Sequence, residues 1–334
     1  MRSNHKEYRE HAHGGPHDEH WARRRISRGE DMGDLCKDRI VIVTGAGRGI
    51  GRSEALAFAN EGAKLVISDL GVELDGSGGS KSVAESVVEE IRALGGDATS
   101  IAEDVGDTAA AKRIIDCAID TYGGLDVVVN NAGILRDKMI FNMDESDFDA
   151  VIHVHLKGTW NLSHWAAIYW RDRNKEGQTN DARIINTSSP SGLYGNIGQT
   201  NYSSAKAGIA AMSITLAGEL GRYGVTANAI SPVAQTRMTE NLQRPGQAPR
   251  PEPAEGELNP RSPDFVAPLV AWLGSTESKD TTGHVFEVGA GSIGVAQGWR
   301  HGPTEKREDA NWNPAELTAV VSRLLSHAAP AGTL

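Results

Sequence analysis

Residues 44–51 read TGAGRGIG and follow a short run of β-branched residues, IVIV, at positions 40–43. A glycine-rich turn in this place lets backbone N–H groups approach a pyrophosphate at the N-terminus of the following helix. Glycines are common in loops, so the position between a strand and a helix carries the prediction of nucleotide binding. The candidate cofactor contacts in this turn are Gly45, Arg48, Gly49, Ile50 and Gly51.

The alternation of strand and helix continues along the chain. Short β-branched runs predict seven strands, at residues 39–43, 64–68, 98–102, 125–130, 183–187, 225–230 and 284–288. Helical patterns start between them near residues 50, 80, 109, 145, 202 and 264, each long enough for a crossover connection. We therefore predict an α/β fold, a single Rossmann-type doubly wound parallel seven-stranded sheet with helices on both faces.

Composition divides the chain into three parts. Residues 1–31 hold five of the eleven histidines among many charges and lack an apolar period, which predicts a disordered tail. Residues 32–298 are predicted to form the NAD-binding Rossmann catalytic domain, and residues 299–334 a C-terminal extension. Residues 242–263 carry six prolines, which predicts a long loop near the end of the sixth strand.

The composition argues against several classes of protein. The 334 residues carry a formal net charge of −10, whereas a nucleic-acid partner needs a clustered basic surface. No apolar run approaches the roughly 20 residues of a membrane span. Cys36 and Cys117 lack metal-ligand spacing, and no apolar signal segment opens the chain. We expect a cytoplasmic protein with no metal, no nucleic-acid partner and no membrane span.

The choice of cofactor depends on Asp69, at the end of the second predicted strand. It follows the glycine-rich turn at close to the roughly 20 residues expected for the acid that binds the adenosine ribose. A carboxylate there accepts from the ribose and repels a 2′-phosphate, which favours NAD. Arg48 opposes this choice, because a guanidinium near the ribose can receive a phosphate.

Other candidate cofactor contacts stand at the ends of later strands. Asp104 and Val105 follow the third strand, and Asn131, Ala132 and Gly133 follow the fourth. Residues of these types can line an adenine pocket or simply make tight turns. One more candidate, Val233, follows the sixth predicted strand.

Tyr202 and Lys206 are four residues apart on a predicted helix, so their side chains share one face. A free phenol has a pKa of about 10, too high for a base at neutral pH, and a nearby cation lowers it. Ser189, at the end of the fifth strand, can hold a substrate oxygen, and Ser188 is its competitor. Beside the glycine-rich turn, these residues favour a nicotinamide-dependent oxidoreductase.

The TGAGRGIG turn, the NNAG stretch at 130–133, Ser189 and the YSSAK stretch at 202–206 together resemble the short-chain dehydrogenase/reductase family. The resemblance covers residues 38–298. It implies that Tyr202 is the acid/base, that Lys206 also holds the nicotinamide ribose and that Ser189 steadies the substrate. Most members have asparagine in a proton relay where this chain has His155, which can relay protons or serve as a packing residue.

A narrower resemblance is to the (3R)-hydroxyacyl-CoA dehydrogenase part of peroxisomal multifunctional enzyme type 2. It is carried by NAGILRD at 131–137, TRMT at 236–239, FEVGAG at 286–291 and the His155-Leu156 pair. The resemblance implies NAD-dependent oxidation of a secondary alcohol on a bulky apolar substrate, a (3R)-3-hydroxyacyl-CoA thioester or a hydroxysteroid. It also implies a homodimer or homotetramer. An NADPH-dependent 3-oxoacyl-carrier reductase and a non-catalytic nucleotide sensor remain alternatives.

Overall fold

The computed structural model describes residues 33–238, 259–307 and 312–329. Its strands are β1 (Ile40–Thr44), β2 (Lys64–Ser68), β3 (Asp97–Ile101), β4 (Val127–Asn130), β5 (Ala182–Thr187), β6 (Val225–Val233), β7 (Val285–Gly289) and β8 (Ser292–Val295). They form one sheet in the order β3-β2-β1-β4-β5-β6-β7-β8. The first seven pair in parallel, and β8 is antiparallel to β7 at the edge.

The helices of the described residues are α1 (Gly49–Asn60), α2 (Ser82–Ala93), α3 (Thr108–Tyr122), α4 (Glu145–Ile152), α5 (Gly158–Lys175), α6 (Pro190–Tyr194), α7 (Thr200–Leu220), α8 (Ala267–Gly274) and α9 (Leu317–His327). A π-helical segment, His153–Lys157, joins α4 to α5. Short 3-10 segments lie at Ile140–Asn142, Gly221–Tyr223, Pro263–Phe265, Thr276–Ser278 and Pro314–Glu316.

Apolar cores form on both faces of the sheet because its central strands are apolar on both sides. In β1, Val41 and Val43 point toward α1, α2 and α8, while Ile42 points toward α3, α5 and α7. All three side chains are fully buried. The parallel order places the carboxyl ends of β1, β4, β5 and β6 along one edge, where the candidate site residues lie.

The predicted doubly wound Rossmann-type fold is confirmed with its seven parallel strands, and the sheet has one antiparallel edge strand more than predicted. An eighth strand turns back from β7 through Ala290 and Gly291, whose φ angles are 50° and 78°. Positive φ at both turn residues is the geometry of a tight hairpin. All four residues of β8 are exposed, so this strand lacks the buried, alternating pattern that marks a strand in a sequence.

Two predicted segments lie partly or wholly outside the described residues. They are the tail, 1–31, and most of the proline-rich stretch, 242–258. Across the ranges that are described, no helix is both long enough and apolar enough to cross a membrane. The same ranges contain no group of three or more metal-ligating side chains that could hold a metal ion.

Candidate active site

The glycine-rich turn runs from the end of β1 into α1. Gly45 and Gly49 adopt φ angles of 63° and 54°, a region that side chains disfavour. At Gly51, an added Cβ would lie 2.4 Å from the Gly45 carbonyl oxygen. The Asn131 side chain donates to the carbonyl oxygens of Thr44, at 3.0 Å, and Gly45, at 3.2 Å. Asn131 therefore holds the glycine-rich turn in shape.

Asp69 lies beside this turn, as the sequence predicted for the ribose-binding acid. Its Oδ2 accepts from the Gly47 N–H at 2.8 Å, and its Oδ1 accepts from the Gly71 N–H at 2.6 Å. Arg48 is exposed at the N-cap of α1 and makes no side-chain capping hydrogen bond there. The first N–H groups of α1 are therefore not capped by this side chain, which suits an anion at the helix N-terminus.

A second carboxylate lies after β3. Asp104 Oδ1 accepts from the Gly106 N–H at 2.8 Å, and its Oδ2 lies 2.9 Å from Nε2 of His153. Val105 is buried next to it. Asp104 is thus fixed in orientation from two sides.

The remaining candidate cofactor contacts have simpler surroundings. Ile50 is half-buried at the start of α1, and Val233 is exposed at the end of β6. Ala132 donates its N–H to the Thr44 hydroxyl at 3.2 Å. At Gly133, an added Cβ would lie 2.3 Å from Cε1 of His155, so only glycine fits there.

The structure separates the two serines that the sequence left in competition. The Ser188 hydroxyl donates to the carbonyl oxygen of Lys206 at 2.8 Å, which ties β5 to α7. Ser189 caps α6, accepting from the Ser191 N–H at 3.2 Å, and its side chain lowers the pKa of the Tyr202 hydroxyl. Ser189 is therefore the serine that faces the candidate acid/base.

Lys206 is 3% exposed, and its ammonium donates to the Thr187 carbonyl oxygen at 2.5 Å. Its Nζ lies 5.6 Å from the centre of the Tyr202 ring, on the same face of α7. Burial lowers the pKa of Lys206 to about 7, and the carboxyl group of Glu54 acts in the opposite direction. Near neutral pH, Lys206 is therefore divided between its protonated and its neutral form.

The phenol of Tyr202 is harder to ionise here than the sequence suggested. Burial raises the pKa of Tyr202 to about 12, Asp137 raises it further, and the hydrogen bond with Ser189 lowers it. We expected the cation of Lys206 to bring this pKa down. Burial outweighs that effect because it disfavours phenolate and ammonium alike.

His155 lies in the π-helical segment, with its ring edge-on to Tyr202. Its Nε2 lies 2.8 Å from the carbonyl oxygen and 3.0 Å from the amide nitrogen of Ile134. Burial, assisted by the charge of Lys206, lowers the pKa of His155 to about 3, so the ring is neutral at neutral pH. Its buried Nδ1 has no hydrogen-bond partner among the described residues.

These groups fit a nicotinamide dinucleotide. The α1 N-terminus suits a pyrophosphate, and Asp69 stands where the adenosine ribose binds in this fold. The side chains of Tyr202, Lys206 and Ser189 converge at the end of β5, where a nicotinamide would lie. The buried, unpartnered Nδ1 of His155 leaves one polar atom available to a bound molecule or a relay water.

Two residues near the site were missed in the sequence. Glu54 is buried in α1, and its only sequence signal is a charge inside the otherwise apolar run EALAFA. Arg237 donates to the Val72 carbonyl oxygen at 2.8 Å, and its charge interacts with Arg48 and Asp69. Nothing in the spacing of Arg237 indicates that it reaches across to the loop after β2.

Comparisons with known proteins agree with this geometry. The short chain dehydrogenase family profile matches residues 39–246. A hydroxyacyl-CoA dehydrogenase of Mycobacterium tuberculosis is 42% identical over 289 residues, which cover 85% of this chain and 87% of that protein. Peroxisomal multifunctional enzyme type 2 of Mus musculus is 44% identical over 256 residues, 77% of this chain. The match spans only 32% of the length of that mouse enzyme.

A solved structure is also similar. The crystal structure of a short chain dehydrogenase from Mycobacterium avium is 53% identical in sequence, with a TM-score of 0.80. The similarity covers 90% of this chain and 99% of that one.

Proposed function

Because this chain belongs to the short-chain dehydrogenase family, we propose that it oxidises a secondary alcohol with NAD, on a (3R)-3-hydroxyacyl-CoA thioester or a similarly bulky hydroxysteroid. The observation that carries this proposal is the convergence of three side chains. Ser189 lowers the pKa of the Tyr202 phenol, and the ammonium of Lys206 lies 5.6 Å from the centre of the Tyr202 ring.

Each of the three side chains has a task in this reaction. NAD, when bound, supplies the acceptor for the hydride that leaves the alcohol carbon. Tyr202 accepts the hydroxyl proton as phenolate, and the alcohol becomes a ketone. Ser189 donates a hydrogen bond to the substrate oxygen and holds it within reach of Tyr202. Lys206 stabilises the phenolate and binds ribose hydroxyls with its ammonium donors.

The proposal of NAD rests on Asp69. Its carboxylate already accepts two backbone N–H bonds beside the glycine-rich turn, so its position is fixed. A fixed negative charge at that point repels a 2′-phosphate. Arg48 favours the alternative, an NADPH-dependent 3-oxoacyl-carrier reductase. Its charge lies near that of Arg237, and guanidinium groups bind phosphates such as the 2′-phosphate of NADPH.

The proposal of a bulky apolar substrate rests on two exposed loops that meet near the start of α7, the helix that carries Tyr202. The backbone N–H of Lys138 donates to the Gly198 carbonyl oxygen at 2.9 Å. This bond places the loop around Lys138 beside the loop that leads into α7. Phe141 on one loop is 76% exposed, and Ile197 on the other is 86% exposed. Apolar side chains that stay this exposed in a monomer suit an apolar ligand or an interface.

We further propose a cytoplasmic homodimer or homotetramer built on α5 and α7. These helices expose Trp160 and Ile214 respectively, which a partner subunit would cover. Both cysteines, Cys36 and Cys117, are free thiols, in keeping with a reducing compartment.

The test is a panel of alcohols with the full chain, read from the absorbance of reduced nicotinamide. The panel contains 3-hydroxyacyl-CoA thioesters of both configurations, short and long, and 17β-hydroxysteroids, each with NAD and with NADP. We expect turnover of the (3R) thioesters with NAD. Turnover of the (3S) thioesters alone, or of 3-oxoacyl substrates only with NADPH, would overturn the proposal.

A further inference from the structure

His153 begins the π-helical segment between α4 and α5, and its ring reaches the loop that follows β3. Its Nε2 lies 2.9 Å from Oδ2 of Asp104. Because the oxygen of a carboxylate only accepts hydrogen bonds, Nε2 carries a proton and donates it. At Gly106, an added Cβ would lie 2.2 Å from the same Nε2, so the missing side chain of Gly106 lets the ring approach the loop.

The π-helical segment directs its two histidines to different parts of the candidate site. In a helix, side chains two residues apart point to nearly opposite sides. His155 contacts the backbone of Ile134 and lies edge-on to Tyr202, whereas His153 contacts Asp104. Such π-helical turns within helices are frequent at functional sites. His155 thus belongs to the end of the site that holds the candidate acid/base, and His153 belongs to the other end.

Asp104 is one of three groups that follow neighbouring strands along the carboxyl edge of the sheet. The glycine-rich turn follows β1, Asp69 follows β2 and Asp104 follows β3, and these strands are adjacent in the order β3-β2-β1. The pyrophosphate, ribose and adenine of a dinucleotide are bonded to one another in the same order. With the pyrophosphate at the turn and the ribose at Asp69, the adenine would come to Asp104.

The carboxylate of Asp104 suits the amino group of adenine. Its Oδ1 accepts from the Gly106 N–H and its Oδ2 from His153, which together use about half of the roughly four acceptor positions of a carboxylate. The side chain is 43% exposed, so a ligand can reach it. The 6-amino group of adenine donates hydrogen bonds, whereas a 6-oxo group, as in hypoxanthine, accepts them. A carboxylate at this point therefore favours adenine over hypoxanthine.

The backbone next to Asp104 is held independently of His153. The carbonyl oxygen of Val105 accepts from the Asn161 side chain at 2.8 Å, and Asn161 is fully buried in α5. Without His153, this loop should therefore stay in place, and the change should be confined to the orientation of the Asp104 carboxylate.

We propose that His153 is a positioning residue for the cofactor, which holds the Asp104 carboxylate in the orientation that accepts from the 6-amino group of adenine. The inference rests on the proposed function, because it takes NAD as the cofactor. A carboxylate that is oriented before binding loses less side-chain freedom when the base arrives, so its hydrogen bond contributes more to affinity. His153 acts through Asp104 and does not itself read the base.

The test measures the affinity of the full chain for NADH and for reduced nicotinamide hypoxanthine dinucleotide, the hypoxanthine analogue, by fluorescence titration. The variants are His153→Leu and His153→Ala, which remove the donor, Asp104→Ala, and the double variant His153→Leu/Asp104→Ala. Because the His153 side chain is 39% exposed, its replacement should leave the protein folded. His164→Leu is the matched control, since His164 lies further along in α5 and stacks on Trp160 with ring centroids 4.8 Å apart.

Wild type should bind NADH more tightly than the hypoxanthine analogue. His153→Leu and His153→Ala should weaken NADH binding by about fivefold and analogue binding much less, so the preference for adenine should shrink. Asp104→Ala should lose the preference. The double variant should lose nothing more, because a residue that acts through Asp104 then has nothing to orient. His164→Leu should bind both ligands like wild type.

An unchanged preference in His153→Leu and His153→Ala, or equal weakening of both ligands, would overturn the inference and leave the proposed function standing. A further loss in the double variant would also overturn it, because His153 would then act independently of Asp104. So would a wild type that binds NADH and the analogue equally, since Asp104 would not meet the base. A wild type that binds no NADH would overturn the proposed function, and this inference with it.

Discussion

The imidazole ring of His155 meets the phenol ring of Tyr202 edge-on, with ring centroids 5.1 Å apart and planes at 87°. The contact places a polar ring directly against the candidate acid/base. Because burial keeps His155 neutral, the ring cannot serve as a second cation for the phenol. Its Nε2 is engaged with the backbone of Ile134, so only Nδ1 remains for a relay.

His155→Asn should retain measurable activity, since an amide can also hydrogen-bond the Ile134 backbone and a water. His155→Leu is the control that removes both hydrogen bonds, and it should lose more activity and more stability. The pH profile of kcat should be alike in wild type and His155→Asn, because the pKa of His155, about 3, lies far below the working range. A folded but inactive His155→Asn protein would show instead that the imidazole carries the proton.

Tyr202→Phe should abolish turnover and leave NADH binding near wild type, because it removes only the hydroxyl that exchanges the proton. Tyr122→Phe is the control. Tyr122 donates to the Leu65 carbonyl oxygen at 3.3 Å, near the start of β2 and so at the opposite end of the strands from the site, and its loss should leave kcat/KM unchanged. Substantial turnover by a pure preparation of Tyr202→Phe would remove this residue from the mechanism.

Features that depend on local sequence were predictable. The turn from β1 into α1 needs glycine at fixed points, and four-residue spacing places Tyr202 and Lys206 on one helix face whatever the rest of the fold does. The parallel, doubly wound sheet follows from the alternation of strands and helices, and the structure confirms it. Asp69 lies beside the glycine-rich turn because β1 and β2 are neighbours in that sheet.

Features that depend on tertiary packing were not predictable. Ser188 and Ser189 are adjacent and chemically identical, and only their contacts with α7 distinguish them. The pKa of Tyr202 is set mainly by burial, which no spacing reveals. Glu54 reads in the sequence as an ordinary charged helix residue, because nothing in the spacing shows that its side chain is fully buried.

Glu54→Gln should stabilise the protein, increasingly so as pH rises. The pKa of Glu54 is raised from 4.5 to about 8 on folding, so the folded state binds the proton more tightly than the unfolded state. Its favourable contribution is complete below pH 4.5 and is lost as pH rises through about 8. The glutamine variant has no such loss, so its Tm should exceed that of wild type by an increasing margin between pH 4.5 and about 8.

The measurement is thermal unfolding of both proteins at several pH values. A difference of about 2 kcal/mol corresponds to roughly 3 °C in Tm for a chain of this size. As the control, Ser53→Ala on the same helix should show a pH-independent difference from wild type. An equal Tm difference at both ends of the window would mean that Glu54 is already ionised at low pH, against the burial that the structure shows.

Asp69→Ala should lose NAD efficiency and gain NADP efficiency together. The carboxylate is held between the N–H groups of Gly47 and Gly71 as a fixed charge beside the glycine-rich turn, where we propose that the adenosine ribose binds. Two like charges about 4 Å apart in an effective dielectric of about 20 repel each other by on the order of 4 kcal/mol. This energy corresponds to several hundredfold in the preference for NAD over NADP before solvent screening reduces it. The measurement is kcat/KM with each cofactor.

Asp69→Asn removes the charge and keeps the size of the side chain, with one of the two oxygens that accept the N–H groups of Gly47 and Gly71. If repulsion decides the preference, Asp69→Asn should gain on NADP nearly as much as Asp69→Ala. If Asp69→Asn stays with NAD and only Asp69→Ala changes, the residue acts by holding the loop between Gly47 and Gly71.

Arg48→Ala in the Asp69→Ala background should reverse part of the gain in NADP efficiency, since it removes a guanidinium that receives the phosphate. A wild type that already uses NADP as well as NAD would show that Asp69 does not reach the ribose at all.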